Sequence, residues 1–500
     1  MPNTKHGLRG ITPTIAIARR TLAMQTVLLC CLALFAPTAA LRAGFLPRWS
    51  SPVANSAAAS RTATASMEAA PEKLRFLTSE GTLKLREEFG TPFFVYDEAT
   101  LKRQALKAMD FPHAFGLTVR FAMKALPNAA VLQLFDALGL HIDASSGFEV
   151  RRAMAAGITA DKISLSSQEL PADLPELLDL GIKYNACSLR QLEAYGKARK
   201  GDRTDQLGVR FNPGLGSGGT GKTNVGGPAS SFGIWHELMP QVQAIIKEYD
   251  LEPARVHTHI GSGSDPAVWQ KVASLSLGLC EQIPSVSILN LGGGYKVGRM
   301  NGEPSTDLQT VGTPVKAAFE DYAKRTGKEM KLEVEPGTFL VANSGALVST
   351  VQDLVTTGEG GFSFLKLDSG MTELLRPSLY GAQHPLILVH GEAADRKPVS
   401  AADHSFIAVG HCCESGDLVT PAPDEPEVLL PRALGADAAA GDLIVVEGAG
   451  AYCSSMSTKH YNSFPECAEV MLDADGKGHL IRRKQEVTEI WSNEVKYSSK

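Results

Sequence analysis

Eight short apolar runs alternate with helical stretches between Val119 and Glu335 of this 500-residue chain. The runs are TVRFAM at 118–123, LHID at 140–143, KISL at 162–165, IKYNAC at 182–187, LGVRFN at 207–212, RVHTHI at 255–260, SVSILNL at 285–291 and KLEVE at 331–335. Strand-length runs separated by helices are typical of parallel strands joined by crossovers. Eight of them favour an α/β fold with a closed (β/α)8 barrel of the TIM type, because open doubly wound sheets more often have fewer strands and a glycine-rich first turn.

The segments that flank these runs have the pattern of a β-rich domain. FFVY at 93–96 is a predicted strand before the barrel. After Val341 the short strands ALVSTVQDLV, SFLKLDSG, HPLILVHG, SFIAVG, DLIVVEG and AEVMLD recur between turn residues. We expect residues 115–340 to form the barrel. Residues 73–114 and 341–500 should form the β-rich domain, which the N-terminal strand completes.

Residues 1–72 have the composition of a targeting leader. Glu68 is the first acidic residue, and basic residues precede an uncharged run from Thr21 to Leu41. A stretch rich in Ser, Ala and Arg follows this apolar core. A signal segment followed by a transit-like segment resembles the bipartite leaders of plastids, and it predicts plastid import. Secretion or a signal anchor is the alternative, since the uncharged run is near spanning length. We expect no membrane association of the mature chain.

Charge and cysteine content argue against several classes of partner and site. The net charge is −5 and no basic cluster is interleaved with aromatics, so we expect no nucleic-acid binding. The eight cysteines lack framework spacing, which predicts thiols in a reducing compartment. His411, Cys412 and Cys413 lack a second ligand pair, so no metal site is predicted. GSGGTGKT at 216–223 matches the P-loop pattern, but a poor helix follows and we interpret it as a barrel loop.

Reactive residue types follow several predicted barrel strands, where active sites of such barrels lie. Lys124 and Asp143 end the first and second strands, and His257 and His259 share one face of the sixth. Glycines follow the seventh and eighth strands at Gly292, Gly293, Gly294 and Gly337, and Glu335 ends the eighth. Because backbone N–H groups of glycine loops can approach a phosphate closely, this pattern indicates a phosphate-bearing cofactor.

Pyridoxal phosphate fits this set of residues. It requires a lysine for a Schiff base, a carboxylate for its ring nitrogen, a flat partner for its ring and a phosphate cup. Lys124, Glu335, His259 and the glycine loops supply these four, and Asp143 is a further acid beside the cofactor. Two later segments add a thiol with a neighbouring carboxylate in GHCCESGD at 410–417, and an anion-binding arginine in RPSLY at 376–380.

The motifs FAMKALPN, DASSGFE, HTHIGSG, LGGG, EPG, DSGM, RPSLY, CCESGD, GAY and YNS occur in this order. In them the chain resembles the fold-type III pyridoxal-phosphate decarboxylases, most closely the diaminopimelate decarboxylase branch, from about Phe93 to Val470. The pair RPSLY and CESGD separates this branch from the alanine racemases. The resemblance implies decarboxylation of meso-2,6-diaminopimelate to L-lysine, the last step of lysine biosynthesis. It also implies a homodimer whose β-domains complete shared active sites.

The resemblance assigns roles to individual residues. Lys124 matches the Schiff-base lysine, His259 the ring-stacking histidine and Glu335 the partner of the pyridine nitrogen. The expected phosphate and cofactor contacts are Ser262, Gly292, Gly293, Gly294, Gly337 and Tyr452.

The expected contacts of the small amino-acid substrate lie in the C-terminal part. Arg376 and Tyr380 match the residues that hold its distal carboxylate, Glu414 contacts its amino group, and Tyr452 also faces it. Cys413, from the other subunit, matches the thiol that protonates the intermediate. We expect Glu414 and Asp417 to keep Cys413 protonated, because neighbouring negative charge disfavours a thiolate.

Three positions depart from the family pattern. Thr338 stands where Arg usually follows EPG, Ser231 where Lys is common, and His411 where Pro is common. Lys222 and Arg210 are the candidates to replace the missing charge.

Two alternative functions stay open. One is a decarboxylase of ornithine, arginine or lysine, against which RPSLY argues because simple diamine substrates lack a distal carboxylate. The other is a catalytically inactive dimerising regulator, against which the retained Lys124 and Cys413 argue.

Overall fold

The computed structural model describes residues 72–215, 226–259, 263–391, 405–434 and 437–498. Within these ranges the helices are α1 (Ser79–Phe89), α2 (Glu98–Met109), α3 (Ala129–Ala137), α4 (Gly147–Ala155), α5 (Leu174–Asp179), α6 (Leu189–Ala198), α7 (Met239–Tyr249), α8 (Pro266–Glu281), α9 (Leu308–Thr326), α10 (Thr338–Val341), α11 (Leu375–Tyr380) and α12 (Val487–Ile490). The strands are β1 (Phe93–Asp97), β2 (Leu117–Ala122), β3 (His141–Ala144), β4 (Ile163–Leu165), β5 (Lys183–Ala186), β6 (Leu207–Asn212), β7 (Ile234–Trp235), β8 (Arg255–Thr258), β9 (Ile288–Asn290), β10 (Lys331–Val334), β11 (Gly345–Thr356), β12 (Ser363–Leu367), β13 (Leu386–Val389), β14 (Ser405–Val409), β15 (Pro421–Ala422), β16 (Glu425–Leu429), β17 (Arg432–Ala433), β18 (Leu443–Val446), β19 (Ala468–Leu472) and β20 (Gly478–Arg482).

Eight parallel strands of the described chain close into a barrel in the order β2, β3, β4, β5, β6, β8, β9 and β10. The ring closes where β10 pairs with β2, with Leu332 opposite Leu117. The short strand β7 pairs beside the end of β6, off this ring. Each of the eight apolar runs contains one barrel strand, so the predicted (β/α)8 barrel is confirmed. The reason is that parallel strands buried on both faces require short continuous apolar runs.

A buried ion triad holds the barrel interior below the strand ends. Glu333 accepts hydrogen bonds from Arg120 Nη2 and from Arg255 Nε, both at 2.8 Å, and all three side chains are almost inaccessible to solvent. Burial raises the pKa of Glu333, but the two guanidinium groups outweigh it and lower the pKa to about 2. Removing one partner would leave a buried unpaired charge at a cost of about 3–5 kcal/mol. The triad therefore fixes β2, β8 and β10, the strands that lead to Lys124, His259 and Glu335.

The second sheet joins β1 to the C-terminal strands in the order β17, β14, β12, β11, β1, β19 and β20, with β18 pairing both β11 and β13. Strand β1 runs antiparallel to β11 and parallel to β19. Phe94 and Tyr96 pack into the main core, whereas Phe93 and Val95 pack into a second apolar cluster. The expectation that the N-terminal strand completes the β-rich domain is thus confirmed. The domain limits at residues 115 and 340 stay a prediction.

Some of the predicted features lie outside the residues that the structure describes. The leader up to residue 71, the P-loop-like segment 216–223, and Ser262 lie outside the described residues. No helix in the described part is long and apolar enough to cross a membrane. The six cysteines of the described ranges are free thiols, and Cys413 is the exposed one among them.

Candidate active site

Lys124 lies directly after β2 in a single 3-10 turn, Met123–Ala125. Met123 and Ala125 are buried whereas Lys124 is exposed, so the turn presents the ammonium group at the C-terminal end of the barrel. The backbone N–H of Tyr452 and the hydroxyl of Ser455 donate to the Ala125 carbonyl at 2.9 and 3.1 Å. Partial desolvation by the surrounding protein lowers the pKa of Lys124, but Tyr452 and Asp143 outweigh this and the pKa is raised. The C-terminal segment at Tyr452 therefore docks on the lysine turn.

Glu335 follows β10 and is a buried anion. Asn290 Nδ2 donates to its Oε1 at 2.7 Å, and His257 Nε2 lies 3.2 Å from its Oε2. Burial raises the pKa of Glu335, but His257 and then Arg210 outweigh it and hold the pKa well below its ordinary range. Asn290 Nδ2 also donates to Glu333 at 3.2 Å, which links the site to the ion triad below. Glu335 can therefore bind a protonated ring nitrogen.

The pKa of Asp143, in β3, is shifted in the opposite direction to that of Glu335. Asp143 is buried, and its Oδ1 has no hydrogen-bond partner among the described residues. Burial and then the negative charge of Glu335 raise the pKa of Asp143 well above its ordinary range. Two nearby acids with pKa values pushed apart are typical of sites that handle protons.

The glycine run after β9 packs so closely against His259 and the end of β10 that a side chain would not fit. Gly293 N–H donates to His259 Nδ1 at 3.1 Å. A Cβ on Gly292, where φ is 69°, would lie 2.3 Å from His259 Nδ1, and one on Gly293 would lie 2.0 Å from the Glu335 carbonyl oxygen. Burial and then Arg210 lower the pKa of His259 well below its ordinary value. The loop therefore fixes a neutral imidazole ring beside backbone that has no side chains.

The two remaining glycines extend this cradle. The Gly294 carbonyl accepts from Gly263 N–H at 3.0 Å, so the glycine run also contacts the loop after β8. A Cβ on Gly337 would lie 3.3 Å from Ala122 Cβ and 3.4 Å from the Tyr452 hydroxyl oxygen. Gly337 thus brings the start of α10 close to the lysine strand and to Tyr452.

Arg376 and Tyr380 lie on α11, four residues apart and hence on one side of that helix. Arg376 Nη1 donates to His384 Nε2 at 3.0 Å, and His384 Nδ1 donates to the Glu447 carbonyl oxygen at 3.0 Å. Burial and then Arg376 keep the pKa of His384 well below its ordinary value, so its ring is a neutral acceptor. Burial raises the pKa of Tyr452, and the charges of Lys124 and Arg376 both oppose this. Tyr452 therefore lies within electrostatic reach of both cations.

The GHCCESGD turn presents one thiol and buries the other. Asp417 accepts from the N–H groups of Cys412 and Met371 at 2.9 and 2.7 Å. Burial and then Asp417 raise the pKa of the Cys412 thiol to about 12. Cys413 is exposed, and its N–H donates to Asn462 Oδ1 at 3.0 Å. The Asp417 carboxylate thus bonds the neighbouring Cys412, and the expected effect of Asp417 on Cys413 stays a prediction.

Glu414 occupies the exposed side of the same turn. Its Oε1 accepts from Gly416 N–H at 3.1 Å, and its own N–H donates to the Cys412 carbonyl oxygen. Its carboxylate is exposed beside Cys413, as expected for a residue that contacts a ligand from outside the turn.

The positions that depart from the family pattern have local partners. The Arg210 guanidinium is buried 3.7 Å over the Phe232 ring and acts on Glu335 and His259. Ser231 Oγ accepts from Gln168 Nε2 at 3.0 Å. His411 stacks on Phe464 with ring centroids 3.6 Å apart. Thr338 begins α10, and Lys222 lies outside the described residues.

Sequence reasoning missed three residues that hold the site together. They are Asn290, His384 and Asn462, which bond Glu335, Arg376 and Cys413 respectively. An Asn two residues before a glycine run was a usable signal for the first, since its Oδ1 also accepts from Gly292 N–H at 2.8 Å. The other two contacts join segments whose proximity no local pattern indicates.

Pyridoxal phosphate fits the residues present. Gly292 and Gly293 lie where a Cβ would overlap His259 and the Glu335 carbonyl oxygen, so no side chain covers this stretch of backbone, and the exposed Lys124 follows β2 at the same end of the barrel. A buried carboxylate and an acid with an unpartnered oxygen lie within electrostatic range of that lysine. These are the phosphate, carbonyl and ring-nitrogen contacts that this cofactor requires.

Known proteins with similar sequence and structure agree with this cofactor. The family described as pyridoxal-dependent decarboxylase, pyridoxal binding domain, matches residues 99–342. Diaminopimelate decarboxylase of Escherichia coli K12 is 36% identical over 84% of this chain and 97% of its own length, and that of Streptomyces coelicolor is 33% identical over 82% and 90%. A crystal structure of diaminopimelate decarboxylase aligns with a TM-score of 0.75 at 34% identity, covering 83% of this chain and 96% of that one. The Helicobacter pylori enzyme complexed with L-lysine aligns with a TM-score of 0.69 at 27% identity, covering 82% and 98%. On this near full-length similarity, the chain belongs to the diaminopimelate decarboxylase family of pyridoxal-dependent decarboxylases.

Proposed function

We propose that the protein is a pyridoxal-phosphate-dependent carboxy-lyase that converts meso-2,6-diaminopimelate into L-lysine and CO₂, the last step of lysine biosynthesis. The observation that carries this proposal is the 36% identity with the Escherichia coli enzyme over 97% of its length. The retained Arg376 and Tyr380 support the substrate, because a guanidinium group on α11 can pair with a second carboxylate.

The barrel residues hold the cofactor in this proposal. Lys124 binds its carbonyl carbon, Glu335 pairs with its ring nitrogen and His259 lies against its ring. Gly292, Gly293, Gly294 and Gly337 bind the phosphate together with Ser262, while Asp143 lies beside the ring. Bound pyridoxal phosphate supplies an electron sink for the bond that releases CO₂.

The C-terminal residues select and orient the substrate. Arg376 and Tyr380 bind the distal carboxylate, Glu414 contacts the amino group, and Tyr452 lies between substrate and cofactor. Ornithine, arginine and lysine decarboxylation remain the second candidate, and Arg376 argues against it. Since Lys124 and Cys413 are retained, a catalytically inactive regulator is the weakest reading.

We also propose that the protein is a homodimer with shared sites. In this proposal the thiol of Cys413, which is exposed and whose backbone N–H donates to Asn462, reaches the site of the other subunit. There Cys413 of the partner subunit donates the proton to the carbon that has lost CO₂.

Purified protein that starts near Glu72 should release CO₂ from meso-diaminopimelate, and only weakly from L-lysine, L-ornithine and L-arginine. Arg376→Ala should raise the KM for diaminopimelate and leave the cofactor absorbance unchanged. Faster turnover of ornithine than of diaminopimelate by the wild type would replace the first proposal by the second.

We propose that residues 1–72 import the protein into a plastid, with secretion or membrane anchoring as the alternative. The acid-free composition and the apolar core from Thr21 to Leu41 support this. A fluorescent fusion of the leader should accumulate in plastids, and a fusion that stays in the cytosol contradicts any import role.

A further inference from the structure

Arg299 follows the glycine run in the segment LGGGYKVGR and is buried, with 7% of its surface exposed. Its Nε donates to the Gly448 carbonyl oxygen at 3.0 Å. Its Nη2 is buried and has no hydrogen-bond partner in the described part of the chain. A buried guanidinium N–H without an acceptor is costly, so this nitrogen marks a place for an acceptor that the protein does not supply.

A second guanidinium is anchored to the same stretch of backbone. His384, which accepts from Arg376, donates to the carbonyl oxygen of Glu447, and Arg299 donates to that of Gly448. Arg299 directly, and Arg376 through His384, are therefore bonded to the consecutive carbonyl groups of Gly448 and Glu447, just before Tyr452 in the chain. A Cβ on Gly448 would lie 3.0 Å from Arg299 Cγ, so this glycine makes room for the arginine stem.

The nearby acids bond to backbone N–H groups, and in the described part of the chain no side-chain hydrogen bond joins them to either guanidinium group. Glu303 Oε2 accepts from the backbone N–H of Arg299 at 2.8 Å, and Glu447 Oε1 accepts from the backbone N–H of Arg75 at 3.0 Å. Burial and then the charge of Arg376 lower the pKa of Arg299 to about 9. Two neighbouring guanidinium groups with one buried, unpartnered nitrogen constitute an anion site.

We propose that Arg299 and Arg376 together bind one carboxylate, which is the distal carboxylate of the amino-acid substrate. This identification of the ligand rests on the proposed function. Arg299 then supplies, from the loop after β9, the positive charge that is missing where Thr338 follows Glu335-Pro336-Gly337. Arg210 and Lys222 are not needed for it.

Comparing the binding of L-lysine with that of cadaverine isolates the contribution of the distal carboxylate. L-lysine retains the distal carboxylate, whereas cadaverine is the same diamine without it. In the pyridoxal-phosphate-loaded enzyme, Arg299→Gln should weaken L-lysine binding by roughly 30-fold or more, as expected for loss of a charge-assisted contact. Cadaverine binding should change less than about threefold, measured by titration calorimetry.

Two variants control for loosening of the structure. Arg432→Gln removes a half-buried guanidinium whose nitrogens donate to Gln383 Oε1 and to the His384 carbonyl oxygen. This variant should leave the affinities for L-lysine and for cadaverine unchanged. Arg299→Lys keeps the charge and should restore part of the L-lysine affinity. If Arg299→Gln fails to fold, Arg299→Lys carries the test, with weaker L-lysine and unchanged cadaverine binding expected.

Equal weakening of L-lysine and cadaverine, or a loss of cofactor absorbance without a change in their affinity ratio, would overturn the Arg299 proposal. Absence of CO₂ release from diaminopimelate by the wild type would overturn the proposed function instead. In that case the wild type and Arg299→Gln still differ in L-lysine affinity if the anion site exists.

Discussion

At the scale of single residues, two buried acids at the ends of β3 and β10, the strands on either side of β2, have pKa values shifted in opposite directions. His257 and Arg210 outweigh burial and hold the pKa of Glu335 well below its ordinary range, whereas burial and Glu335 itself raise the pKa of Asp143 well above its own. Glu335 is thereby suited to stabilise a cationic ring nitrogen, while the environment of Asp143 disfavours a second negative charge beside it. The different neighbours of the two acids, and not their residue types, shift the two pKa values in opposite directions.

Glu335→Gln tests the anionic role. The amide keeps the shape and the Asn290 contact but cannot hold a ring nitrogen protonated. We expect cofactor binding to persist, judged by its visible absorbance, while kcat falls at least about 100-fold. Glu333→Gln is the matched control, because Glu333 is a buried acid of β10 two residues before Glu335. This variant should lower the thermal stability more than it lowers kcat at saturating cofactor. Wild-type kcat in Glu335→Gln would assign this residue another role.

Gly292 shows how one missing side chain positions another. Gly292→Ala places a Cβ against the His259 ring at a backbone φ of 69°. Gly302→Ala is its control, because φ there is 81° but nothing lies within 4 Å of the added Cβ. Both changes should cost about 1–2 kcal/mol of stability from the left-handed backbone.

Gly292→Ala and Gly302→Ala should differ in cofactor affinity, because only Gly292→Ala displaces the His259 ring. Gly292→Ala should also raise the dissociation constant of pyridoxal phosphate about tenfold, since a ring-stacking contact contributes about 0.5–1.5 kcal/mol. Equal cofactor affinity of the two variants would mean that His259 does not stack on the cofactor.

At the scale of elements, the segment before α11 and the turn after β14 are joined through a buried acid. Glu373 accepts from Gly370 N–H at 3.0 Å and from the Thr372 hydroxyl at 2.7 Å. Thr372 Oγ1 lies 2.6 Å from His411 Nε2, so the chain of contacts runs from the arginine helix to the thiol turn. Both elements that carry proposed substrate contacts therefore depend on one polar cluster.

This cluster predicts a pH dependence of stability. Burial raises the pKa of Glu373 to about 7 from an ordinary 4.5, so the folded state binds its proton more tightly than the unfolded state. Stability from this group is therefore present below pH 4.5 and is lost as the pH rises to about 7, by up to about 3 kcal/mol. Glu373→Gln removes the titration, and its melting temperature should fall less than that of the wild type between pH 4.5 and pH 8.

The quantity to compare is the difference in melting temperature between the wild type and Glu373→Gln at each pH. Burial lowers the pKa of His411 to about 4, so this group titrates in the opposite sense and is common to both. Parallel melting curves for wild type and Glu373→Gln across this range would show that Glu373 is not buried as a protonated acid.

At the scale of the whole molecule, the barrel was predictable and part of the site was not. Each barrel strand is a short apolar run, and its C-terminal end identifies Lys124, His259 and Glu335 without any long-range information. Arg299 and His384 became visible only in the structure, because their partners Gly448 and Glu447 are more than 60 residues away in sequence. The contact of Asp417 with Cys412 was not predictable for a related reason, since sequence proximity alone does not distinguish Cys412 from Cys413.

The proposed homodimer with shared sites predicts that two inactive variants complement each other. Lys124→Ala and Cys413→Ala should each be inactive, because one lacks the cofactor amine and the other the proton donor. If the thiol acts across the interface, a mixed dimer has one intact site and one doubly damaged site. Random exchange makes about half of the dimers mixed, so about a quarter of the wild-type activity should return on mixing.

A second mixture supplies the control for this experiment. Lys124→Ala combined with Glu335→Gln puts one damaged barrel in each subunit of a mixed dimer, so no site is intact and mixing should restore nothing. Subunit exchange is followed by mass spectrometry of differently tagged chains. Recovery in the first mixture alone assigns lysine and thiol to different subunits. No recovery in either, with exchange demonstrated, assigns both to one subunit, because only an intact barrel facing an intact Cys413 turn can decarboxylate the substrate.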